Sequence, residues 1–163
     1  LKILITGGKS AGALKLLKAF KNDEVVLADY GDVPVFSATS YQFISLGQKN
    51  EDTLAHTLLN HCLDNQVEII LPIHAFEIEP LAKAEILFNE FNVDILLPSM
   101  NAYEGYMNVG VSKANWVIYQ KGAVRFSTQE AEEIPAYGKA HLLSGAFYFE
   151  MLDKELKLSL ITI

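Results

Sequence analysis

The residues of this chain that could do chemistry fall in four short stretches. Gly7-Gly8-Lys9-Ser10-Ala11-Gly12 sets three glycines around a lysine and a serine. Such a turn can bare backbone N–H groups to a phosphate or carboxylate, because an absent side chain lets the anion reach the main chain. Asp29 closes the next apolar run, with Asp32 just beyond, and offers a carboxylate to ribose hydroxyls. His74, Glu77 and Glu79 follow Pro72, and Asn101 follows Pro98. Gly7, Gly8, Lys9, Ser10, Gly12, Asp29, His74 and Glu77 are therefore candidate contacts for a substrate or nucleotide.

Each candidate also has a structural role open to it. No GxxxxGK[ST] frame fits around Gly8-Lys9-Ser10, and Lys9 stands where G-x-G-x-x-G wants its middle glycine. The glycines would equally serve to let a strand turn tightly into a helix. Asp29 could cap a loop turn completed by Tyr30-Gly31-Asp32. No serine or cysteine is placed to make a triad with His74. Glu77 and Glu79 open a helix, where acids interact favourably with its dipole. No spacing of His, Cys, Asp or Glu reads as a metal site.

These residues need elements to hold them. Lys2-Ile3-Leu4-Ile5-Thr6 reads as a buried strand, residues 13–20 as a helix and Val25-Val26-Leu27-Ala28 as a second strand. Residues 41–46 allow a short strand. Residues 51–63 form a helical pattern, with Leu54, Leu58, Leu59, Cys62 and Leu63 on one face. Residues 67–71 and 93–97 are continuous apolar strands closed by Pro72 and Pro98, with a helical pattern over 76–88 between them. Helical pattern is also read over 102–107 and 113–120, the latter ended by Gly122, with Trp116 and Tyr119 as packing residues. Apolar strands alternating with helices predict an α/β fold: an open parallel sheet covered on both faces. Ligands of such sheets bind beyond the carboxyl ends of the strands, where the four stretches lie. After about residue 125 the character changes. Residues 127–138 are polar, with Glu130-Ala131-Glu132-Glu133, and two β-prone runs around Asp153-Lys154 predict a C-terminal β-hairpin.

The balance of the chain limits its partners. It has 163 residues, half of them hydrophobic, and a formal net charge of -7. That charge argues against non-specific nucleic-acid binding and against an anionic membrane surface. No apolar run reaches the length of a bilayer span, and the N-terminal run passes straight into the glycine turn rather than into a signal-peptide pattern. The single cysteine, Cys62, falls on an apolar helix face and reads as a packing residue of a reducing, cytoplasmic setting.

Taken in order, the segments resemble the N-terminal domain of the ATP-grasp superfamily, in the group of carbamoyl-phosphate synthase large subunits and related carboxylate–amine ligases. The resemblance covers residues 1 to about 126. It rests on Lys2-Ile3-Leu4-Ile5-Thr6-Gly7-Gly8, Val25-Val26-Leu27-Ala28-Asp29, Glu68-Ile69-Ile70-Leu71-Pro72 and Val93-Asp94-Ile95-Leu96-Leu97-Pro98-Ser99. Its last part, Ser112-Lys113 through Gly122-Ala123-Val124, looks like the family's helix leading into the ATP-binding lobes. Gly7-Gly8-Lys9-Ser10-Ala11 also looks like the start of the D-alanine ligase glycine loop, with Gly12 where a glutamate would follow. The resemblance implies a Rossmann-like, three-layer αβα domain over 1–126, and over 127–163 a linker and hairpin left from an ATP-grasp lobe. It implies ATP and magnesium held mainly between further lobes, a substrate lying against this domain, and a reaction through an acyl phosphate. Lys113 falls at the family's basic position reaching towards nucleotide phosphate, with Ser112 where an acid is usual. A lysine-bearing strand to clamp phosphates and a paired Glu and Asn for magnesium are not found in this sequence.

Three functions are therefore carried forward. The first is the substrate- and nucleotide-proximal domain of a carbamoyl-phosphate synthase-like, ATP-dependent carboxylate–amine ligase, inactive alone, which meets a small anionic or zwitterionic substrate and an ATP-grasp lobe or partner subunit. ATP and magnesium enter through the resemblance and not through this chain's own residues. The second is an NAD(P)-binding domain, with the cofactor at the glycine turn and Asp29 on its ribose. The third is a non-catalytic interaction domain whose open hairpin edge pairs with another chain, a second copy included.

Overall fold

A computed structural model describes residues 1–35 and 37–163. The described chain divides into two units, Leu1–Ile95 together with Ile163, and Leu96–Thr162. The first unit begins with β1 (Lys2–Ile5) and α1 (Ala11–Leu16), which runs into a 3-10 helix at Leu17–Phe20. β2 (Glu24–Asp29), β3 (Ser37–Ala38) and β4 (Tyr41–Ser45) follow. A 3-10 turn at Glu51–Thr53 leads into α2 (Leu54–Asp64), and then come β5 (Ile69–Leu71), α3 (Ala75–Lys83), α4 (Glu85–Glu90) and β6 (Asp94–Ile95).

The six strands form one sheet in the order β3-β4-β2-β1-β5-β6. β4, β2, β1, β5 and β6 run parallel, and only the two-residue β3 is antiparallel. The central register sets Leu4 between Val26 and Ile70. Ile3, Leu4, Ile5, Val26, Leu27 and Ala28 are fully or almost fully buried, as continuous apolar strands require. α2 turns Leu54, Leu58, Leu59 and Cys62 inward, as the sequence pattern predicts, but Leu63, read on the same face, is exposed, because it lies one 100° step beyond Cys62 in the last turn. Burial pushes the Cys62 thiol up to about 12, which suits a packing residue. The helix expected over 76–88 is two helices, α3 and α4, meeting at Ala84. The order reverses about β1: β2 and β4 extend to one side, β5 and β6 to the other. Loops following β1 and β5 therefore diverge at that point, where open parallel sheets leave a crevice.

The second unit contains a 3-10 turn (Tyr103–Tyr106), β7 (Asn115–Gln120), β8 (Ala123–Ser127), α5 (Glu133–His141), β9 (Gly145–Leu152) and β10 (Glu155–Leu160). Its four strands form an antiparallel sheet in the order β10-β9-β7-β8. The expected hairpin is present, with Leu152 paired to Glu155 across Asp153 and Lys154, both at positive φ.

Two helical readings are corrected here. Residues 113–120 are not helical: β7 occupies Asn115–Gln120. Trp116, Val117, Ile118 and Tyr119 are β-branched or aromatic, and Lys121 and Gly122 take φ of 48° and 85°, the two-residue turn that joins a hairpin. Gly122 thus closes a strand pair rather than a helix. The helical stretch read over 102–107 is a single 3-10 turn. Conversely, the polar segment after 127 contains α5, whose inward face rests on Ile134 and Gly138. No helix among the described residues is long and apolar enough to cross a membrane.

Candidate functional site

Strand ends bring most of the candidate residues of the first unit together. Thr6 follows β1, Asp29 ends β2 with Tyr30 just beyond it, and His74 to Glu77 open α3 behind β5. At the centre is Glu77, whose carboxylate is wholly buried. The Thr6 hydroxyl donates to its Oε1 at 2.5 Å, the Tyr30 hydroxyl to its Oε2 at 2.6 Å, and the His74 N–H to Oε1 at 3.3 Å. The Thr6 hydroxyl in turn accepts the Ile73 N–H at 2.9 Å. Burial, the largest influence, raises Glu77 above the ordinary glutamate value, and its donors pull it partly back. Burial and the neighbouring Glu77 carboxylate both keep the Tyr30 phenol protonated.

Asp29 forms the second half of the cluster. Its Oδ2 accepts the Lys9 N–H at 3.1 Å, and its Oδ1 accepts the Tyr30 N–H at 2.9 Å and meets His74 Nε2 at 2.9 Å. Burial works against its charge, but the His74 ring and the two backbone N–H groups outweigh it and hold Asp29 below the ordinary aspartate value. Both oxygens are thus engaged within the chain, and a ribose hydroxyl would compete with those bonds.

The glycine turn is shaped by its own neighbours. Gly7 has φ +64°, and a Cβ there would stand 2.7 Å from Ile163 Cδ1 and 2.8 Å from Ile73 Cγ1. A Cβ on Gly8 would stand 2.9 Å from Leu27 Cβ and 3.0 Å from the Ala28 nitrogen. Ile163 is pinned there, its N–H donating to the Ile73 carbonyl at 2.7 Å and its carbonyl accepting the Ala75 N–H at 3.2 Å. The Gly8 N–H donates to the Ala28 carbonyl and the Ser10 N–H to the Gly7 carbonyl. With Lys9 N–H on Asp29, three successive amides of the turn have partners inside the chain. Ser10 caps α1, its Oγ accepting the Ala13 N–H and donating to the Gly7 carbonyl. The Lys9 ammonium bridges the carbonyls of Tyr30 and Asp32 at 2.8 and 3.3 Å. Gly12 is less confined, its nearest neighbour lying 3.7 Å from a built Cβ.

The accessible part of this rim is aromatic and cationic. Tyr30, His74 and Phe76 are half-buried, and the His74 and Phe76 rings stack with centroids 4.9 Å apart. Tyr30 tilts against both rings at 5.5–5.6 Å. The Lys49 ammonium lies 3.8 Å from the Phe76 ring centroid and pairs with Glu51. A ligand arriving at the rim meets these rings and the exposed Lys9, while Glu77 and Thr6 stay behind them.

Thr6, Tyr30 and Phe76 were not singled out from the sequence, and the aromatic residues flanking Asp29 and His74 were the available signal. Glu79 is exposed and pairs with Lys83 at 2.8 Å. Asn101 and Lys113 belong to the second unit, where the Lys113 ammonium lies 5.8 Å from the Tyr148 ring centroid. Among the described residues no three of His, Cys, Asp and Glu gather to hold a metal.

No protein-family model matches this chain, and no curated protein matches it in sequence. Among solved structures it is similar to the urea carboxylase of Kluyveromyces lactis, with a TM-score of 0.49 and 14% identity, over 99% of this chain and 19% of that one. It is similar also to the K. lactis urea amidolyase, with a TM-score of 0.48 and 14% identity, over 99% of this chain and 13% of that one. A third is the biotin carboxylase subunit of pyruvate carboxylase, with a TM-score of 0.46 and 18% identity, over 85% of this chain and 40% of that one. The chain spans less than half the length of each of these proteins, and likeness at this level says nothing of activity or ligand.

Proposed function

We propose that the first unit is a Rossmann-like domain of the pre-ATP-grasp kind. In this reading it supplies the substrate-facing rim of an ATP-dependent carboxylate–amine ligase, of the carbamoyl-phosphate synthase-like group, and has no ligase activity by itself. The observation that carries the reading is the cluster of Glu77, Thr6, Tyr30, Asp29 and His74 at the carboxyl ends of β1, β2 and β5, where the strand order reverses. The ordered strand-end motifs of the sequence support it independently. The exposed cations and rings of the rim suit a small carboxylate or zwitterion, held by Lys9, Tyr30 and His74. Glu77 is a positioning residue, since it is sealed from solvent. Residues 127–163 are then the remnant of an ATP-grasp lobe, and Lys113 is given no phosphate role, because the helix on which the resemblance placed it is the strand β7.

ATP and magnesium fall to other lobes in this reading, because the amides of Gly8, Lys9 and Ser10 and the carboxylates of Asp29 and Glu77 have partners within the chain. The test is a nuclear magnetic resonance titration of the purified chain with a panel of amino acids and small carboxylic acids, alongside a phosphate-release assay with ATP and magnesium. Saturable shifts at Tyr30, His74 and Lys9, with no phosphate release, are expected. Absence of any such shift across the panel, or turnover of ATP by the chain alone, would refute the reading.

A further inference from the structure

The strongest unassigned feature of the first unit lies at the other end of its sheet. A cavity of about 600 Å³ opens at the amino ends of β1, β2 and β4, bounded by the 3-10 helix Leu17–Phe20 and the turn between β3 and β4. Lys2, Lys18 and Lys21 all line it. The clustering follows from local geometry. A 3-10 helix has three residues per turn, so Lys18 and Lys21 fall on the same edge. Lys2 is brought to the mouth as the first residue of β1, its N–H fixed by the Glu68 carboxylate at 3.0 Å. None of the three ammonium groups makes an ion pair within 4 Å among the described residues. In a chain of net charge -7, three such lysines around one concavity are a local reversal of sign.

The remaining walls narrow the choice of ligand. Phe20 and the hydroxyl-bearing residues Thr39, Ser40 and Tyr41 also line the cavity. Asp23 and Glu24 also line it, so three cations face two acids and the excess is one positive charge. That excess is too small for a long polyanion and suits one compact oxyanion. We infer that this cavity is a second binding site, for a small organic oxyanion whose charged group meets Lys18, Lys21 and Lys2 and whose body rests against Phe20 and Tyr41. The site is independent of the rim at the carboxyl ends and of any ligase reading.

Phenyl phosphate, phenylacetate and inorganic phosphate serve as probes in a nuclear magnetic resonance titration of the whole chain. Saturable shifts at Lys18, Lys21 and residues 39–42 are expected for at least one of the aromatic anions. Phenyl phosphate alone would mark the ligand as a phosphomonoester, phenylacetate alone as a carboxylate. The exposed double variant Lys18→Gln/Lys21→Gln keeps the fold and raises the dissociation constant about tenfold or more, by loss of two charge-assisted contacts. Shifts that never saturate, that map elsewhere, or that persist unchanged in the double variant would overturn the site.

Discussion

At the scale of the residue, Glu77 carries the sharpest consequences. Replacing it with alanine leaves the buried Thr6 hydroxyl and the half-buried Tyr30 hydroxyl without their acceptor and opens a cavity. Glu77→Ala is expected to cost roughly 2–4 kcal/mol in urea unfolding, and Glu77→Gln clearly less. The two acids of the cluster act in opposite directions with pH. Asp29 has a lowered value in the folded chain, so its contribution is present above the ordinary aspartate range and is lost as pH falls through that lowered value. Glu77 has a raised value, so the folded state binds its proton more tightly and stability declines as pH rises from 4.5 through that raised value. Asp29→Asn is therefore expected to flatten the loss of stability in acid, and Glu77→Gln to remove the decline above pH 4.5. Unfolding midpoints measured between pH 3 and pH 7 check both. Asp29, His74 and Glu77 could be picked out from sequence because each lies just past an apolar strand. Their joining could not, since Thr6 and Glu77 stand 71 positions apart and Tyr30 and Glu77 47 apart, and only the sheet order makes them neighbours.

Elements show where local pattern suffices and where it misleads. The three glycines of the turn look alike in sequence and differ in their surroundings. Gly7→Ala and Gly8→Ala drive a Cβ into Ile163, Ile73, Leu27 and backbone, and each is expected to cost about 2 kcal/mol or more. Gly12→Ala has room and sits in α1, so it is expected to stabilise the chain by roughly 0.5–1 kcal/mol. Thermal unfolding of the three variants separates these outcomes. In the second unit, Gly138 packs directly beneath the Tyr119 ring, and Gly138→Ala is expected to cost about 2–3 kcal/mol. β5 and β6 were legible because an apolar run closed by proline has few other uses, and β1 and β2 because each is a short continuous apolar run. β7 was not, because a run of apolar residues ending in Lys121-Gly122 fits a helix stop as well as a hairpin turn until the φ values are known. α5 escaped notice because its inward face is only Ile134 and Gly138, too little to register as a stripe.

At the scale of the molecule, composition set limits that the fold then made local. The shift to polar character near residue 125 falls inside the second unit, because β7 and β8 continue the apolar signal of the strands before them. Charges of both signs stand at each edge of the parallel sheet, with Lys9 beside Asp29 at the carboxyl edge and Lys2, Lys18 and Lys21 beside Asp23 and Glu24 at the amino edge. Since that amino edge carries only one charge in excess, a labelled DNA duplex is expected to show no mobility shift with micromolar protein at physiological salt. The single carboxyl group of Glu77 meanwhile fastens the ends of β1 and β2 to the first turn of α3. Three loops that are far apart along the chain cannot loosen one at a time without costing that buried carboxyl one of its donors. Their amide protons should therefore trade with deuterium in concert, and a small molecule that grips any one loop should slow the exchange of all three.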